Sequence, residues 1–314
     1  MDAIRLAIVI PCYNEEEVLG ETTQRLNQLL LSLIDNKKIS NESYVMYVDD
    51  GSTDKTWSLI SETYKLNKLF KGLKLSRNFG HQNALLAGLY HIDNFDVSIS
   101  IDADLQDDLD AIPQMIDKYI EGNEIVYGVR DDRSTDTFFK RESALFFYKL
   151  MEKMGVESVY NHADYRLISY KALEAFKQFG ESNLYLRGMV PLVGFKSDKV
   201  YYKRGARFAG SSKYNLKKML SFAWNGISSL SIKPLSFVTF CGFSIFILSI
   251  LLSLYVLITY LVKSTVAGWA STVLPIYFLG GIQLLCIGLL GEYIAKIYNE
   301  IKQRPRFIID PHLK

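Results

Sequence analysis

The chain has 314 residues, enough for one large domain or two ordinary ones. Hydrophobic residues make up 49% and charged residues 22%, but Lys263 is the only charged residue between Leu235 and Gly291. A net charge of +2 without any block of Lys or Arg argues against a nucleic-acid partner, and the three cysteines form no C-x-x-C metal or redox pattern. The apolar run at residues 6–10 is too short for a secretory signal, so the amino-terminal part is expected in the cytoplasm.

The first 130 residues alternate short apolar runs with stretches of helical spacing. Strands are predicted at residues 6–10, within 44–54, and at 71–76, 96–105 and 124–130. Helices are predicted at residues 15–33, from about Lys55, at 81–92, and from near Pro113 through Tyr119. This alternation predicts a mostly parallel sheet with helices on both faces. Ligands of such sheets bind outside the carboxyl ends of the strands, where PCYNE, DDGSTD, SRNFG and DADLQDD all lie.

The character of the sequence changes after Thr137. FFKRESALFFYKLMEKMG mixes aromatic and aliphatic residues with Lys and Arg, which predicts an amphipathic interfacial helix near 137–155. A core-facing helix with a hydrated basic face is the alternative. A second stretch of this kind, 212–234, leads into the apolar region.

Two uncharged stretches, 235–262 and 264–291, are 28 residues each. Each is long enough to cross a bilayer with some tilt, so a two-helix transmembrane hairpin is predicted, against two buried helices of a soluble protein. The basic residues that flank the hairpin are Lys233, Lys296, Lys302, Arg304 and Arg306. They outnumber Lys263 on the far side, which predicts an integral membrane protein with its catalytic domain and both termini in the cytoplasm. The predicted parts are a catalytic domain 1–211, a juxtamembrane segment 212–234, transmembrane helices 235–295 and a tail 296–314.

The sequence DADLQDD brings several carboxylates to the end of a predicted strand. On a strand, Asp102 and Asp104 would share one face while Ala103 points into the sheet. Two carboxylates on one face suit a hard divalent cation, Mg or Mn, whose coordination a nucleotide diphosphate would complete. Gln106 can add a carbonyl oxygen. The alternative is a polar turn with solvated acids.

Three further polar segments end predicted strands. Tyr13 can stack on a base, and Glu15 or the backbone can read the edge of that base. Asp49 and Asp50 end a strand where a nucleoside would lie. Arg77 can reach a phosphate or the base. Each segment alone also fits ordinary loop and cap chemistry, but together they predict one nucleotide site.

PxYNEE, VDDGSxD, SRNFG, DADLQD and RxxGxSKY together resemble glycosyltransferase family 2, in particular its polyprenyl-phosphate branch. That branch includes dolichyl-phosphate mannose synthase and the bacterial undecaprenyl-phosphate glucosyltransferases, and the resemblance covers essentially the whole chain. It implies a GT-A fold, a nucleotide-sugar donor, a divalent metal and a lipid-phosphate acceptor. By this resemblance, Pro11, Tyr13, Glu15 and Asp50 correspond to nucleoside contacts, and Asp102, Asp104 and Gln106 to metal and diphosphate ligands.

Two departures from the family pattern carry information. The family often has Gly-Lys after SRNF, whereas this chain has Gly80 and His81, so no lysine acts there. The QxxRW motif of processive synthases is absent, which implies transfer of a single sugar.

Basic residues of the second half are assigned to the acceptor side. Arg207 and Lys213 flank Gly210 in RFAGSSKY and suit phosphate contacts, although a loop touching anionic head groups is the alternative. The resemblance implies a loop that closes over a donor or acceptor phosphate. The residues predicted to hold the acceptor phosphate are Arg130, Lys140, Arg141, Ser143, Ser212 and Lys213.

HADYRL matches a family segment on the acceptor side, and there Asp164 is either a catalytic carboxylate or a structural acid paired with Arg166. Asp104, Asp164 and Arg207 are the predicted catalytic residues. A polyprenyl phosphate is already an anion near neutral pH, since the second pKa of a phosphomonoester is about 6, so the usual demand for a general base is relaxed. A single displacement at the anomeric carbon would invert its configuration, so an inverting transfer is predicted.

The predicted function is transfer of one sugar, glucose from UDP-glucose, to undecaprenyl phosphate at the bacterial inner membrane. GDP-mannose or another nucleotide-sugar stays open, as do a nucleotidyltransferase and a non-catalytic membrane scaffold. A nucleotidyltransferase would usually have a basic Gly-rich loop near the amino terminus, which is absent here. Gly280, Gly281 and Gly288 can pack against neighbouring helices, so a homo-oligomer is also open.

Overall fold

The computed structural model describes residues 3–131, 162–181, 185–203, 205 and 269–313, with isolated positions between 234 and 254. The predicted interfacial helix near 137–155 and nearly all of the segment 212–234 lie outside these residues. So do six predicted site residues: Lys140, Arg141, Ser143, Arg207, Ser212 and Lys213.

The first half of the chain alternates strands and helices, as the sequence predicts. The strands are β1 Leu6–Cys12, β2 Tyr44–Asp49, β3 Phe70–Leu75, β4 Val97–Ser100 and β5 Ile125–Arg130. The helices are α1 Leu19–Asp35, α2 Thr56–Leu66, α3 His81–His91 and α4 Ala111–Ile120. Every residue of β1 and β2 is buried, which explains why these strands have unbroken apolar sequences instead of alternating ones.

The second half adds three strands that the sequence pattern did not predict. The elements are β6 His162–Ser169, α5 Tyr170–Lys177, α6 Leu186–Leu192, β7 Ser197–Tyr202, α7 Trp269–Ile301 and β8 Ile309–Leu313. The sheet order is β7-β5-β6-β4-β1-β2-β3-β8. Strands β4, β1, β2 and β3 run parallel, as do β5 and β7, whereas β6 is antiparallel to both its neighbours and β8 to β3. The predicted mostly parallel α/β sheet is confirmed.

Apolar cores lie on both faces of the sheet because strand side chains alternate. Ile8 of β1 packs with Leu26 of α1 on one face, and Val9 packs with Leu86 of α3 on the other. Helix α3 lies very close to the sheet, since a Cβ on its Gly88 would be 2.7 Å from the Cγ2 of Val48. This close packing fixes the amino end of α3 at the carboxyl edge of the central strands.

The predicted strand over 96–105 is too long. Strand β4 ends at Ser100, and a turn follows in which Leu105 has a φ of 56°. The Thr22 hydroxyl of α1 donates to the carbonyl of Ala103 at 3.0 Å, which holds this turn against the helix. Asp102 and Asp104 therefore lie on a turn and not on one face of a strand. The buried side chain of Ala103 does point into the core, as predicted.

The predicted transmembrane hairpin stays a prediction. Most of 235–262 lies outside the described residues, and 264–291 overlaps α7. Within the described part of the chain, no helix has both the length and the apolar character that a bilayer crossing needs.

The segment after α7 returns to the sheet. Arg306 Nη2 donates to the carbonyl of Phe179 at 2.9 Å, and the amide of Ser76 donates to the carbonyl of Ile308 at 2.9 Å. Strand β8 then pairs with β3 as an edge strand. Residues predicted as a tail thus contribute to the sheet that carries the polar loops.

Candidate active site

The loops after β1 and β2 are joined by hydrogen bonds. The amide of Asn14 donates to Ser52 Oγ at 3.0 Å, and the amide of Thr53 donates to Asn14 Oδ1 at 2.9 Å. Between them Tyr13 is 45% exposed, while Pro11 is buried in β1. An exposed aromatic ring on a fixed loop suits stacking against a nucleoside base.

Asp50 organises the third loop, SRNFG. Its two carboxylate oxygens accept the amides of Phe79 at 2.7 Å and Gly80 at 2.9 Å. Gly51, at φ 67°, has no room for a side chain, because a Cβ would be 2.7 Å from the Cα of Arg77. The exposed Arg77 guanidinium lies 4.1 Å from the centroid of the Phe79 ring. Asp50 therefore holds the crevice wall through both oxygens.

Asp49 ends β2 fully buried. Its Oδ1 accepts the amide of Ser52 at 3.3 Å, while its Oδ2 has no hydrogen-bond partner among the described residues. Burial raises the pKa of this carboxyl. A buried oxygen without a partner fits a position that a donor group on a ligand completes.

The turn after β4 carries the predicted metal ligands. Asp104 Oδ1 accepts the amide of Gln106 at 3.2 Å, and the carbonyl of Gln106 accepts the amide of Gly205 at 2.9 Å. Gln106 is only 9% exposed. The link to Gly205 places the start of the segment leading to RFAGSSKY directly against this turn.

Among the acids of this turn, Asp102 has the most strongly raised pKa. Burial raises its pKa to about 6, and the charges of Asp107, Asp164 and Asp104 add to this, although nearby His81 opposes it. The site therefore concentrates negative charge that the protein only partly neutralises.

The residues present fit a divalent cation that is shared with a ligand. Among the described residues, no group of three or more His, Cys, Asp or Glu side chains could hold a metal ion by itself. Mg²⁺ is commonly held by one or two carboxylates and completes its shell with phosphate oxygens and water. Asp102 and Asp104 supply that kind of partial oxygen set, and a cation would offset both the burial that raises the pKa of Asp102 and the smaller repulsion from neighbouring acids.

Asp164 lies beside Asp102 at the centre of a charged cluster. Its Oδ1 is 2.6 Å from Arg166 Nη2, and its Oδ2 is 3.2 Å from Arg187 Nη2 and 3.7 Å from His81 Nε2. His81 Nε2 is also 3.5 Å from Asp102 Oδ1. Burial opposes ionisation of Asp164, but Arg187, His81 and Arg166 outweigh it and hold the pKa of its carboxyl well below the ordinary value. Asp164 is therefore ionised, and it is a poor proton acceptor near neutral pH.

Arg130 is hydrogen-bonded to the far side of the turn that follows β4. The Tyr202 hydroxyl donates to Asp107 Oδ1 at 2.5 Å, and Arg130 Nε donates to that hydroxyl oxygen at 3.3 Å. Arg130 Nη2 lies 3.6 Å from the same Asp107 oxygen. Of the residues predicted to hold the acceptor phosphate, Arg130 is the one the structure describes, and this network fixes it beside the turn.

The polar residues meet at one edge of the sheet. Asp49 ends a parallel strand, and Tyr13 and Asp102 follow the carboxyl ends of two others. Asp164 reaches the same edge because β6 runs antiparallel. Sequence and topology together mark this edge as a ligand crevice.

The sequence matches the model of a known family, described as Glycosyl transferase family 2, over residues 7–176. This chain belongs to glycosyltransferase family 2. It is 53% identical over 97% of its length to an uncharacterised glycosyltransferase, YkoT, of Bacillus subtilis, and covers 91% of that protein. It is 39% identical over 98% of its length to the SfII prophage-derived bactoprenol glucosyl transferase of Shigella flexneri, covering 97% of that protein. The prophage bactoprenol glucosyl transferase homolog of Escherichia coli is 37% identical, with 98% of each chain covered.

Membership of glycosyltransferase family 2 agrees with the GT-A-like α/β sheet described above. Among solved structures, mannosyl-3-phosphoglycerate synthase from Rubrobacter xylanophilus is 12% identical, with 72% of each chain covered and a TM-score of 0.49.

Two residues of this family 2 site were not predicted from the sequence. His81 stands where the family often has lysine, a difference from which the sequence predicts only the loss of a lysine. Arg187 lies in YLRGMV, which contains no polar cluster, and 23 positions separate it from Asp164. The sequence therefore contained a signal for His81, whereas the contact of Arg187 with Asp164 could be recognised only in the folded structure.

Proposed function

We propose that this family 2 enzyme transfers one glucose from UDP-glucose to a polyprenyl phosphate, with inversion at the anomeric carbon. The observation that carries the proposal is near-full-length similarity to proteins named bactoprenol glucosyl transferases. Bactoprenol is a long polyprenol, and its phosphate would be the acceptor.

The donor half of the proposal rests on the loops after β1, β2 and β4. Tyr13 would stack on the base, and the buried Asp49 oxygen would accept a hydrogen bond from the nucleoside. Asp102 and Asp104 would hold Mg²⁺ or Mn²⁺, which supplies positive charge to the departing diphosphate. Asp50 would act indirectly, by holding the SRNFG loop that forms one wall.

The acceptor half needs cations more than a base. A phosphomonoester already carries close to two negative charges at pH 7, so the nucleophilic oxygen is ready without proton removal. Arg130, Arg187 and the arginine and lysine of RFAGSSKY would orient it for in-line attack. Asp164, ionised and paired with arginine, positions these groups in our proposal and does not take up a proton.

The proposal also includes the membrane. The uncharged stretches 235–262 and 264–291 would anchor the enzyme, with the catalytic domain and both termini on the cytoplasmic face. A prenyl chain could then stay in lipid while its phosphate enters the crevice. Support comes from the charge pattern of the sequence and from the lipid named for the relatives.

A transfer assay tests the function directly. Membranes containing the protein would be incubated with undecaprenyl phosphate, Mg²⁺ or Mn²⁺ and radiolabelled UDP-glucose, with UDP-GlcNAc and GDP-mannose in parallel. Label is expected in butanol-extractable lipid with UDP-glucose. Label from GDP-mannose alone would change the donor, and pyrophosphate-dependent release of a nucleoside triphosphate would favour a nucleotidyltransferase. Absence of lipid label from every donor would refute the proposal.

Asp104→Asn should abolish lipid labelling at every metal concentration, because one of two metal-binding carboxylates is lost. The matched control is Asp117→Asn on the exposed side of α4, which should keep full activity. A fully active Asp104→Asn enzyme would remove Asp104 from the site.

A further inference from the structure

Arg130 and Tyr202 end two neighbouring parallel strands, β5 and β7, where they are partners in the register of the sheet. The amide of Asp131 donates to the carbonyl of Tyr202 at 2.9 Å, which holds the two strand ends together. Register partners on adjacent strands direct their side chains to the same face of a sheet. Arg130 Nε accordingly donates to the Tyr202 hydroxyl oxygen at 3.3 Å, and the two side chains lie against each other.

The side chain of Tyr202 is itself fixed. The residue is only 3% exposed, and its ring packs edge-to-face on Tyr165, with ring centroids 5.2 Å apart. The Tyr202 hydroxyl donates to Asp107 Oδ1, and the Tyr165 hydroxyl donates to the carbonyl of Asp108 at 2.9 Å. Two packed tyrosines thus hold consecutive residues of the turn that follows β4. Because the Tyr202 hydroxyl gives its hydrogen to Asp107, it offers Arg130 only its lone pairs.

Asp107 is a buried acid that the donor site does not use. Its side chain is 1% exposed, and burial raises the pKa of its carboxyl. The Tyr202 hydroxyl and Arg130 Nη2 both contact Oδ1, whereas Oδ2 has no hydrogen-bond partner among the described residues. A buried oxygen without a partner lowers stability, so its retention points to a role in the site. Since both contacts converge on one oxygen, Asp107 places Tyr202 and Arg130 against each other.

Arg130 lies on the side of the crevice away from the nucleoside loops. The sheet order places β6 and β4 between β5 and β1, so the turn that follows β4 lies between Arg130 and the loop of Tyr13. The side chain of Arg130 is 25% exposed and can be reached by a ligand. In a single displacement the nucleophile stands opposite the leaving diphosphate. An arginine beyond the metal-binding turn therefore suits the incoming phosphate.

We infer that Tyr202 is a positioning residue for the lipid acceptor, because its hydroxyl, fixed by Asp107, sets the direction in which Arg130 meets the acceptor phosphate. This inference rests on the proposed function, which assigns Arg130 to that phosphate. A guanidinium binds phosphate best through two parallel N–H donors, so the orientation of its plane matters. Tyr202 and Asp107 hold Arg130 at two points, Nε and Nη2, which fixes that plane before the acceptor arrives.

Binding measurements with the full-length protein in detergent test the inference. Farnesyl phosphate serves as a short acceptor probe, farnesol as its uncharged counterpart, and UDP with Mn²⁺ reports on the donor side. Tyr202→Phe keeps the ring but removes the hydroxyl, and it should weaken farnesyl phosphate binding about tenfold, the scale of one lost hydrogen bond to a charged group. The affinities for UDP and for farnesol should change less than about twofold.

Tyr165→Phe is the matched control. It also removes a tyrosine hydroxyl that is bonded to the turn after β4, but the acceptor of that hydroxyl is the carbonyl of Asp108. Both variants should melt at a somewhat lower temperature than the unmodified protein, because each loses one hydrogen bond. Farnesyl phosphate binding should weaken in Tyr202→Phe alone.

A double-mutant cycle shows whether Tyr202 acts through Arg130. Arg130→Gln should weaken farnesyl phosphate binding about tenfold or more, since it removes the charged donor. Adding Tyr202→Phe to Arg130→Gln should then weaken binding less than about twofold further, because the group that Tyr202 orients is already gone. A hydroxyl with a purely structural role would have its full effect in both backgrounds.

The outcomes separate the inference from the function. Normal farnesyl phosphate binding by Tyr202→Phe or by Arg130→Gln would overturn the inference, and so would an equal loss of UDP binding in Tyr202→Phe or an undiminished effect beside Arg130→Gln. If Tyr202→Phe does not fold, Asp107→Asn takes its place: asparagine can still accept the Tyr202 hydroxyl, but the ion pair with Arg130 is lost, so farnesyl phosphate binding alone should weaken. These measurements decide about Tyr202 even if the transfer assay shows no glucosylated lipid, in which case the proposed reaction alone fails.

Discussion

The carboxyl of Asp102 must be ionised to bind a metal, yet its pKa is raised to about 6. The charged groups around it are His81, which favours ionisation, and Asp104, Asp107 and Asp164, which oppose it. Because metal and proton compete for the same oxygen, affinity for metal-bound UDP should fall as the pH drops below about 6.

We expect UDP binding with Mn²⁺ to weaken by up to about tenfold for each pH unit below 6 and to level off above 7. Calorimetric titrations between pH 5.0 and 7.5 would measure this. Asp102→Asn should bind UDP more weakly at every pH, and its affinity should no longer fall below pH 6. If the affinity of Asp102→Asn still fell below pH 6, the titrating group would be another residue.

Asp164→Asn separates a positioning acid from a general base. Because the pKa of Asp164 lies well below its ordinary value, its ionisation does not change between pH 6 and 8. The substitution should raise KM for the lipid phosphate about tenfold or more, by an equal factor across this range, since it removes the partner of Arg187. A pH–rate profile of both enzymes checks this, and loss of an acidic limb in the variant would identify Asp164 as a base.

The loop that follows β2 depends on a glycine at a close approach. Gly51→Ala would both strain a left-handed backbone and place a Cβ 2.7 Å from the amide of Asn78. Gly122→Ala is the matched control, because Gly122 also has a positive φ, 88°, but open space around it. Gly122→Ala should cost about 1 kcal/mol, and Gly51→Ala about 1–3 kcal/mol more.

Thermal unfolding measures this difference between the two glycines, and UDP binding should be lost in Gly51→Ala alone. Equal melting temperatures of Gly51→Ala and Gly122→Ala would show that the loop after β2 can move away from the SRNFG loop without a loss of stability.

Local sequence predicts the elements whose burial is visible in their own residues. Strands β1, β2 and β3 and helix α3 were predicted within one or two residues at most ends, because their apolar runs or helical spacing are continuous. Strand β6 was missed because HADYRLIS is half polar, and its pairing with β4 and β5 brings together segments far apart in sequence. The end of β4 was misplaced because ISIDADL continues to alternate after pairing stops.

In the site too, local sequence predicts less than the contacts between distant residues determine. The motifs predicted which loops meet, but the partners of each acid depend on contacts between distant residues. The sequence allows Asp164 two roles, and the second guanidinium that contacts it comes from α6. Asp50 matched a nucleoside contact by resemblance, whereas its oxygens hold two main-chain amides of the neighbouring loop.

At the scale of the whole molecule, strand β8 joins the end of the chain to the catalytic sheet. Deleting residues 306–314 would remove its pairing with β3, the hydrogen bond from Arg306 to Phe179 and the packing of Phe307. We expect the free energy of unfolding to fall by about 2 kcal/mol or more. Deleting Lys314 alone should have no effect.

Melting temperatures of both truncated proteins and the full chain would measure the contribution of β8. An unchanged value for the longer deletion would mean that β8 adds nothing to the sheet.

The return of the chain to β3 has a mechanical consequence. Helix α7 ends at Ile301 and β8 begins at Ile309, so the seven residues between them span at most about 25 Å. The crevice therefore cannot move farther than this distance from the end of α7. The amide of Ser76, the first residue of the loop that leads to His81, donates to the carbonyl of Ile308, so a displacement of α7 would reach this wall of the crevice first.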